Sequence, residues 1–236
     1  MDTLIRRWDA VRDGDLMLCE SRGVAYQRQM NEGRIPYDDA YLATFDSPAY
    51  SDSAIARAVN AGRCALVARH LPVGSSLLDI GAASGAFVRL AVATGFEAKG
   101  FDVIPRAADR LRAQGLYADD AGAVSAITFW DSLEHMENPG HMLSRSRKGA
   151  LVFVSIPVCE DLRKVRESKH WKPGEHLYHW STQGFVDYMA LYGFRLLERS
   201  SHETEAGRDS IGAFAFIRDL PDRRDYIAAY QTMHST

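Results

Sequence analysis

The sequence predicts an α/β fold built on a doubly wound parallel sheet. Apolar strand-like runs alternate with helical segments from about residue 75 onward, and the alternation repeats at the length of a β-α unit. The first of these runs, SLLDI at 76–80, ends in a glycine-bearing turn that opens directly into a helix.

The elements follow in order. Up to residue 52 the chain mixes polar and aromatic residues irregularly, and Gly33, Pro36 and Pro48 interrupt any long helix, so this stretch reads as an N-terminal cap or lid, largely helical. Ser53 caps a helix whose Ile55, Ala58, Val59, Gly62 and Leu66 recur at helical spacing until LPVG stops it at 71–74. After the strand 76–80 come a helix at 85–94, a strand at 97–102, and a helix that begins with Pro105 and ends before Gly115. A short strand at 116–118, a strand within 123–130, a helix at 139–147 and the strand ALVFVSIP at 150–157 continue the pattern. A helix at 181–193 then precedes FRLLERSSH and SIGAFAFIR, two strand-like runs joined by the polar linker ETEAGRD and expected to form a hairpin at the sheet edge. The domain boundaries expected are therefore 1–52 for the cap, 53–220 for the main domain and 221–236 for a C-terminal helix or tail.

Composition narrows the functional classes. A formal net charge of -3 and a pI near 6.2 give no general attraction to nucleic acid or anionic membrane, and RSRK at 145–148 reads as a solvated helix end. Cys19, Cys64 and Cys159 lack paired spacing, which argues against a disulfide framework and a cysteine zinc site and suits a reducing compartment. No run reaches the ~18 apolar residues of a membrane span, so a cytoplasmic protein is expected.

The turn DIGAASG at 79–85 fits neither phosphate-binding motif. Gly81 and Gly85 stand four apart, leaving two glycines of G-x-G-x-x-G unmatched, and no GK followed by Ser or Thr makes a P-loop. Strand, then D-x-G-x-x-x-G, resembles motif one of the class I S-adenosylmethionine-dependent methyltransferases, although that family usually has glycine where Ala83 stands. TFWDSLEHMENP at 128–139 and GEHLYHWSTQGFVDYMALYGFRLLE at 174–198 resemble the small-molecule branch that includes the ubiquinone-biosynthesis O-methyltransferases. The likeness spans roughly residues 53–217. It implies a Rossmann-like methyltransferase fold with a seven-stranded, mostly parallel sheet whose last strand is antiparallel. S-adenosylmethionine is the implied cofactor and S-adenosylhomocysteine its product.

On this resemblance Asp79 organises the loop, while Gly81, Ala82, Ala83, Ser84 and Gly85 bring the backbone close to the amino-acid end of the cofactor. Asp102 accepts hydrogen bonds from both ribose hydroxyls, Val103 and Ile104 pack on the adenine, and Asp119 or Asp120 meets its amino group. Each of these aspartates has a plainer reading as a turn or helix cap. Trp130 either flanks the adenine or sulfonium or packs at a strand end. Arg63 either meets the cofactor carboxylate or faces water.

Methyl transfer is an in-line displacement, so positioning does most of the work, and a hydroxyl acceptor also needs a proton acceptor. His135, at the end of the fourth strand, ranks first; Glu134 stands beside it, and His176 and His179 lie where the branch lines its acceptor pocket. His170 is set aside. Asp131, Glu134 and His135 form D-x-x-E-H, which in that branch either shapes the loop against the cofactor or holds a divalent cation; a metal is possible here but not favoured. Tyr37, Tyr41, Phe45 and Tyr50 are candidates for a water-excluding lid or for a satellite core.

The expected partner is a small-molecule acceptor, with transfer to a hydroxyl oxygen. Methylation of a nucleotide or nucleic acid, and cofactor binding without catalysis, are the alternatives. Asp131-Ser132-Leu133-Glu134 lacks the Pro-Pro-aromatic pattern of DNA amino-methyltransferases, and Val158 separates Pro157 from Cys159 where cytosine carbon methylation needs the pair adjacent.

Overall fold

A computed structural model describes residues 10–27, 33–47 and 52–221. Pro48, Tyr50 and the expected C-terminal helix or tail beyond residue 221 lie outside the described residues. The central sheet has six strands in the order β5-β4-β6-β7-β10-β9. They are β4 (Ser76–Ile80), β5 (Glu97–Phe101), β6 (Ala126–Trp130), β7 (Leu151–Pro157), β9 (Phe194–Ser200) and β10 (Ile211–Arg218). The first four run parallel, and β10 inserts antiparallel between β7 and β9. The hairpin expected at 194–218 thus forms, but its second strand is the inner one. The expected strand at 116–118 is reduced to a single bridge, Gly100 to Tyr117, which leaves six strands where seven were anticipated.

Strand residues alternate between two buried layers because both faces of the sheet are covered. Leu78, Ile80, Ile127, Phe129, Val154, Phe214 and Phe216 pack with Phe185, Tyr188 and Met189 of the helix Thr182–Leu191. On the other face Leu77, Ala126, Phe153 and Ala215 meet Leu66 and Val67 of the helix Ala54–His70, and Phe87 and Val88 of the helix Ala86–Ala93. Ser53 does cap the first of these, its hydroxyl accepting from the Ala56 amide at 3.1 Å. No helix among the described residues is long and apolar enough to cross a membrane.

The N-terminal segment departs from the helical cap expected. It contributes β1 (Val11–Asp13), β2 (Leu16–Cys19) and β3 (Val24–Gln27) to a second, antiparallel sheet, completed by β8 (Tyr178–Trp180) from the far end of the chain. Among the described residues there, only α1 (Asp39–Asp46) is an α-helix, capped by the Asp38 carboxylate on the amides of Ala40 and Tyr41. Val24, Tyr26, Tyr178 and Trp180 turn into the same core as Ile80 and Phe129, so the second sheet is welded to the first. Gly23 permits that approach, for it has a φ of +61° and a side chain there would collide with the Ser181 hydroxyl and the Gly184 backbone.

The chain leaves β4 for β5 on one side and returns across it to β6 on the other. The crevice at the carboxyl ends of β4 and β6 is the topological switch point, where open α/β sheets bind ligands.

Candidate active site

The loop after β4 is tightly wound. Gly81, Ala83 and Gly85 have φ values of +83°, +45° and +73°, three left-handed residues in five. Such a conformation costs a non-glycine residue roughly 1–2 kcal/mol, so Ala83 needs an anchor. Asp102 supplies it: one carboxylate oxygen accepts from the Ala83 amide at 2.7 Å and the other from the Ile104 amide at 2.9 Å. Burial pushes the Asp102 carboxyl upward, and those amides oppose the shift. Gly81 and Ala82 both donate to the Phe101 carbonyl, and Gly85 donates to Ala82. The amides of Gly81, Ala82, Ala83 and Gly85 are therefore spent inside the protein, where a pyrophosphate cradle would turn such donors to the ligand. A side chain on Gly81 would lie 2.6 Å from the Ser132 β-carbon, which ties this loop to the one after β6.

The Asp79 side chain is hydrogen-bonded across the sheet. It is buried in β4, accepts a 2.7 Å hydrogen bond from Thr128 on β6, and burial pushes its carboxyl up to about 7. The direct side-chain hydrogen bond to the loop comes from Asp102. Ser84 caps its own turn by accepting from the Ala86 amide. Ile104 is buried under Leu42 of α1 together with Ala107, with Tyr37, Tyr41 and Ala83 around them, whereas Val103 beside it is exposed. Asp120 accepts from the Gly122 amide in a local turn. Asp119, exposed beside it, makes no side-chain hydrogen bond among the described residues.

Asp131 and Trp130 are occupied differently from the expectation. Asp131 has a φ of +53° and both carboxylate oxygens are engaged: Arg63 donates at 2.7 Å, and Arg208 donates at 2.9 and 3.0 Å. The same two arginines pair with Glu203, which is fully buried and also accepts from Ser155 at 2.6 Å. Burial raises the carboxyls of Asp131 and Glu203, but the two guanidiniums more than offset it and both end below the usual carboxylate range. Arg63 is thus neither water-facing nor available to a cofactor carboxylate. It also covers the Trp130 ring at 5.0 Å, and Phe87 meets that ring edge-on at 5.2 Å, so Trp130 is core packing. Arg208, Glu203 and Ser155 escaped the sequence reading, because nothing local in ETEAGRD says which buried charges it will face.

The third group lies across the crevice. Glu134 is 1% exposed and neither of its carboxylate oxygens has a hydrogen-bond partner. Its carboxyl is held well above the usual range by burial and then by the neighbouring Asp131. His135 shares a 2.7 Å hydrogen bond between Nδ1 and the Tyr37 phenol, and its Nε2 is 3.8 Å from Glu134 Oε1. The His176 ring stands edge-on to His135 at 4.7 Å, and its Nδ1 is unpartnered. His179 is one step removed, 6.2 Å from His176 and against Trp171, on the face of β8 opposite the main core. Burial pushes all three imidazoles down, His176 to about 4 and His179 to about 3, so they are neutral at neutral pH. His170 is outside this group, bonded to the Asp209 carbonyl.

The cap closes over both halves. Tyr37, Tyr41 and Phe45 form a row with successive ring centroids 4.9 Å apart. Tyr41 donates to Glu175 at 3.2 Å, Arg34 donates to the His135 carbonyl at 3.0 Å, and Asp46 pairs with Arg110 of the helix Pro105–Ala113. The aromatic row packs beside Ile104 on one side and reaches His135 through Tyr37 on the other.

Comparison with known proteins gives one family. A model of the methyltransferase-domain family matches residues 52–199. No curated protein matches the chain. Among solved structures, the PH0226 protein of Pyrococcus horikoshii OT3 is 15% identical with a TM-score of 0.56, covering 77% of this chain and 99% of that one. The magnesium protoporphyrin IX methyltransferase of Synechocystis PCC 6803, solved with bound S-adenosylhomocysteine, is 13% identical with a TM-score of 0.52, covering 76% and 99%. An S-adenosylmethionine-dependent methyltransferase of Mesorhizobium loti is 15% identical with a TM-score of 0.51, covering 65% and 96%. At such identities these likenesses establish the fold.

Proposed function

Because the chain belongs to the methyltransferase-domain family, we propose that it transfers a methyl group from S-adenosylmethionine to a hydroxyl oxygen of a small, planar acceptor. The observation that carries the cofactor reading is the loop after β4, whose amides are turned inward while Asp102 stands at its mouth. A carboxylate offers four lone-pair sites, so Asp102 keeps acceptor capacity beyond the backbone amides of Ala83, Val103 and Ile104 for a ribose hydroxyl. The residues therefore fit a nucleoside bearing an amino acid better than a pyrophosphate. Gly81, Ala82, Ala83, Ser84 and Gly85 would seat its amino-acid end, Val103 and Ile104 its base, and Asp119, the aspartate not spent on a turn, the amino group.

When bound, the cofactor supplies a sulfonium methyl open to in-line displacement, so the protein's part is chiefly to align the acceptor. Glu134, His135, His176 and His179 form the polar floor that receives it. The imidazoles are held neutral by burial, so a ring nitrogen can accept a hydrogen bond from an acceptor hydroxyl and orient its oxygen towards the methyl group. The roof of Tyr37, Tyr41 and Phe45 keeps water from the reacting atoms. A net charge of -3 offers a polynucleotide no electrostatic attraction.

Isothermal titration calorimetry with S-adenosylhomocysteine and with reduced nicotinamide dinucleotides tests the cofactor. The homocysteine nucleoside is expected to bind, and Asp102→Ala to weaken it by about tenfold or more. Binding of the dinucleotide instead would end this reading. A labelled-methyl screen across hydroxylated aromatics, amines and oligonucleotides then tests the acceptor, with label expected only in the first.

A further inference from the structure

The spacing Asp131, Glu134, His135 suggests a cation site in the sequence, but the structure removes Asp131 from any ligand set, since both of its oxygens are engaged by Arg63 and Arg208. A different set takes its place. Glu134, His135 and His176 each offer one donor atom, and those three atoms lie within 4.8 Å of one another. His176 comes from a separate loop some forty residues on, so no sequence motif announces it.

Two independent observations point to something held there. Glu134 is 1% exposed with both oxygens unpartnered, and His176 is 4% exposed with Nδ1 unpartnered. Buried polar groups are nearly always satisfied, and a carboxyl left with no partner calls for an ion or ligand to complete it. Histidine ligands to metals also hold their second ring nitrogen to an outer partner, which fixes the ring. His135 has that partner: with Nδ1–H donating to the Tyr37 oxygen at 2.7 Å, the lone pair on Nε2 is left on the side of Glu134 Oε1, 3.8 Å away.

We propose that Glu134, His135 and His176 form a two-histidine, one-carboxylate site for a first-row divalent transition ion. Two imidazoles and one carboxylate suit zinc, cobalt or iron(II), whereas magnesium and calcium prefer all-oxygen shells. Bonds of about 2.1 Å place donors roughly 3–3.5 Å apart, so the rings would close by about an ångström on loading. Three protein ligands leave positions for water or an acceptor oxygen, and His179 remains as the imidazole of the pocket outside the triad. The site rests on these residues alone; its link to methyl transfer, through a coordinated acceptor hydroxyl, rests on the reading above.

The full chain, stripped with chelator, is titrated with Co(II) while its visible ligand-field absorption is followed, and Zn(II) is then added. One cobalt per chain, displaced by zinc, is expected. His176→Gln and Glu134→Gln should each weaken binding by about tenfold or more. His170→Gln, whose ring lies outside the triad against the Asp209 carbonyl, should leave it unchanged. Absence of a stoichiometric cobalt spectrum in the folded wild type, confirmed by circular dichroism, overturns the site, as does binding that survives His176→Gln or disappears in His170→Gln. If Glu134→Gln does not fold, the wild-type spectrum and His176→Gln decide. Homocysteine-nucleoside calorimetry on the same stripped sample reads the cofactor site separately, so failure of one is distinguishable from failure of the other.

Discussion

Asp131 shows how much one residue at a strand end can be made to bear. Its left-handed backbone is tolerable for an aspartate, and its carboxylate closes a square with Arg63, Arg208 and Glu203. Breaking one member of such a buried set leaves an uncompensated charge. Arg208→Met is therefore expected to lower stability by about 3–5 kcal/mol, read as a fall in the urea midpoint. An unchanged midpoint would show the square to be dispensable. Asp131 and Glu203 have folded pKa values below their unfolded ones, so their stabilisation is present above pH ~4 and is lost as the pH falls further. Asp79 has the opposite sign: raised to about 7 in the fold, it favours folding below pH ~4 and withdraws that support as the pH rises through 7. Asp79→Asn should then be more stable than wild type at pH 8, on the order of a few kcal/mol, with the gap narrowing by about half at pH 5 and closing only below pH ~4. Parallel urea midpoints at the two pH values would refute it.

Among the elements, the loop after β4 and the helix α1 set the shape of the crevice. Gly81→Ala adds a β-carbon 2.6 Å from Ser132 at a φ of +83°. The expected result is a loss of ~2 kcal/mol or more in stability, together with loss of measurable homocysteine-nucleoside binding by calorimetry. Retained binding would mean that the loop does not contact the ligand. Most strands and helices from Ser53 to Arg218 were legible because they are apolar or periodic runs between clear stop signals, as in SLLDI and ALVFVSIP. The short strand Tyr178–Trp180 and the turn of helix His202–Glu205 were not, and 116–118 reads as a strand where only a bridge forms. β1, β2 and β3 were not legible either, for VRD is wholly exposed and the pairing that orders β3 comes from Tyr178 and His179, some 150 residues away. Within the site, Gly81, Asp102 and His135 stood out because local spacing marks them. Arg208 and Glu203 did not, because their meaning arises only when three distant segments converge.

In the whole molecule, two sheets share one core, and the seam between them passes beside the histidine pocket. Trp180 of β8 bridges to Val158, just past β7, across that seam, while Gly184 of the helix Thr182–Leu191 lies against the Gly23 carbonyl behind it. Gly184→Ala should push the helix Thr182–Leu191 away from the Gly23 turn at the edge of the second sheet. Nucleoside binding, which depends on β4 and β5, is expected to persist within about twofold while turnover of any accepted substrate falls by about tenfold or more, as expected for small misplacements of reacting groups. Equal losses in both would mean that the seam does not act selectively on the acceptor side.

The eight-residue helix α1 leans on Ile104 through Leu42 and reaches Glu175 through Tyr41, while Tyr37 just before it is bonded to His135. Lifting that one helix to discharge a spent nucleoside would strain or break the Tyr37 link in the same movement. The two compartments would then share a single door, so that spent donor and finished product depart in one gating event, and the pace of that event would set the ceiling on turnover.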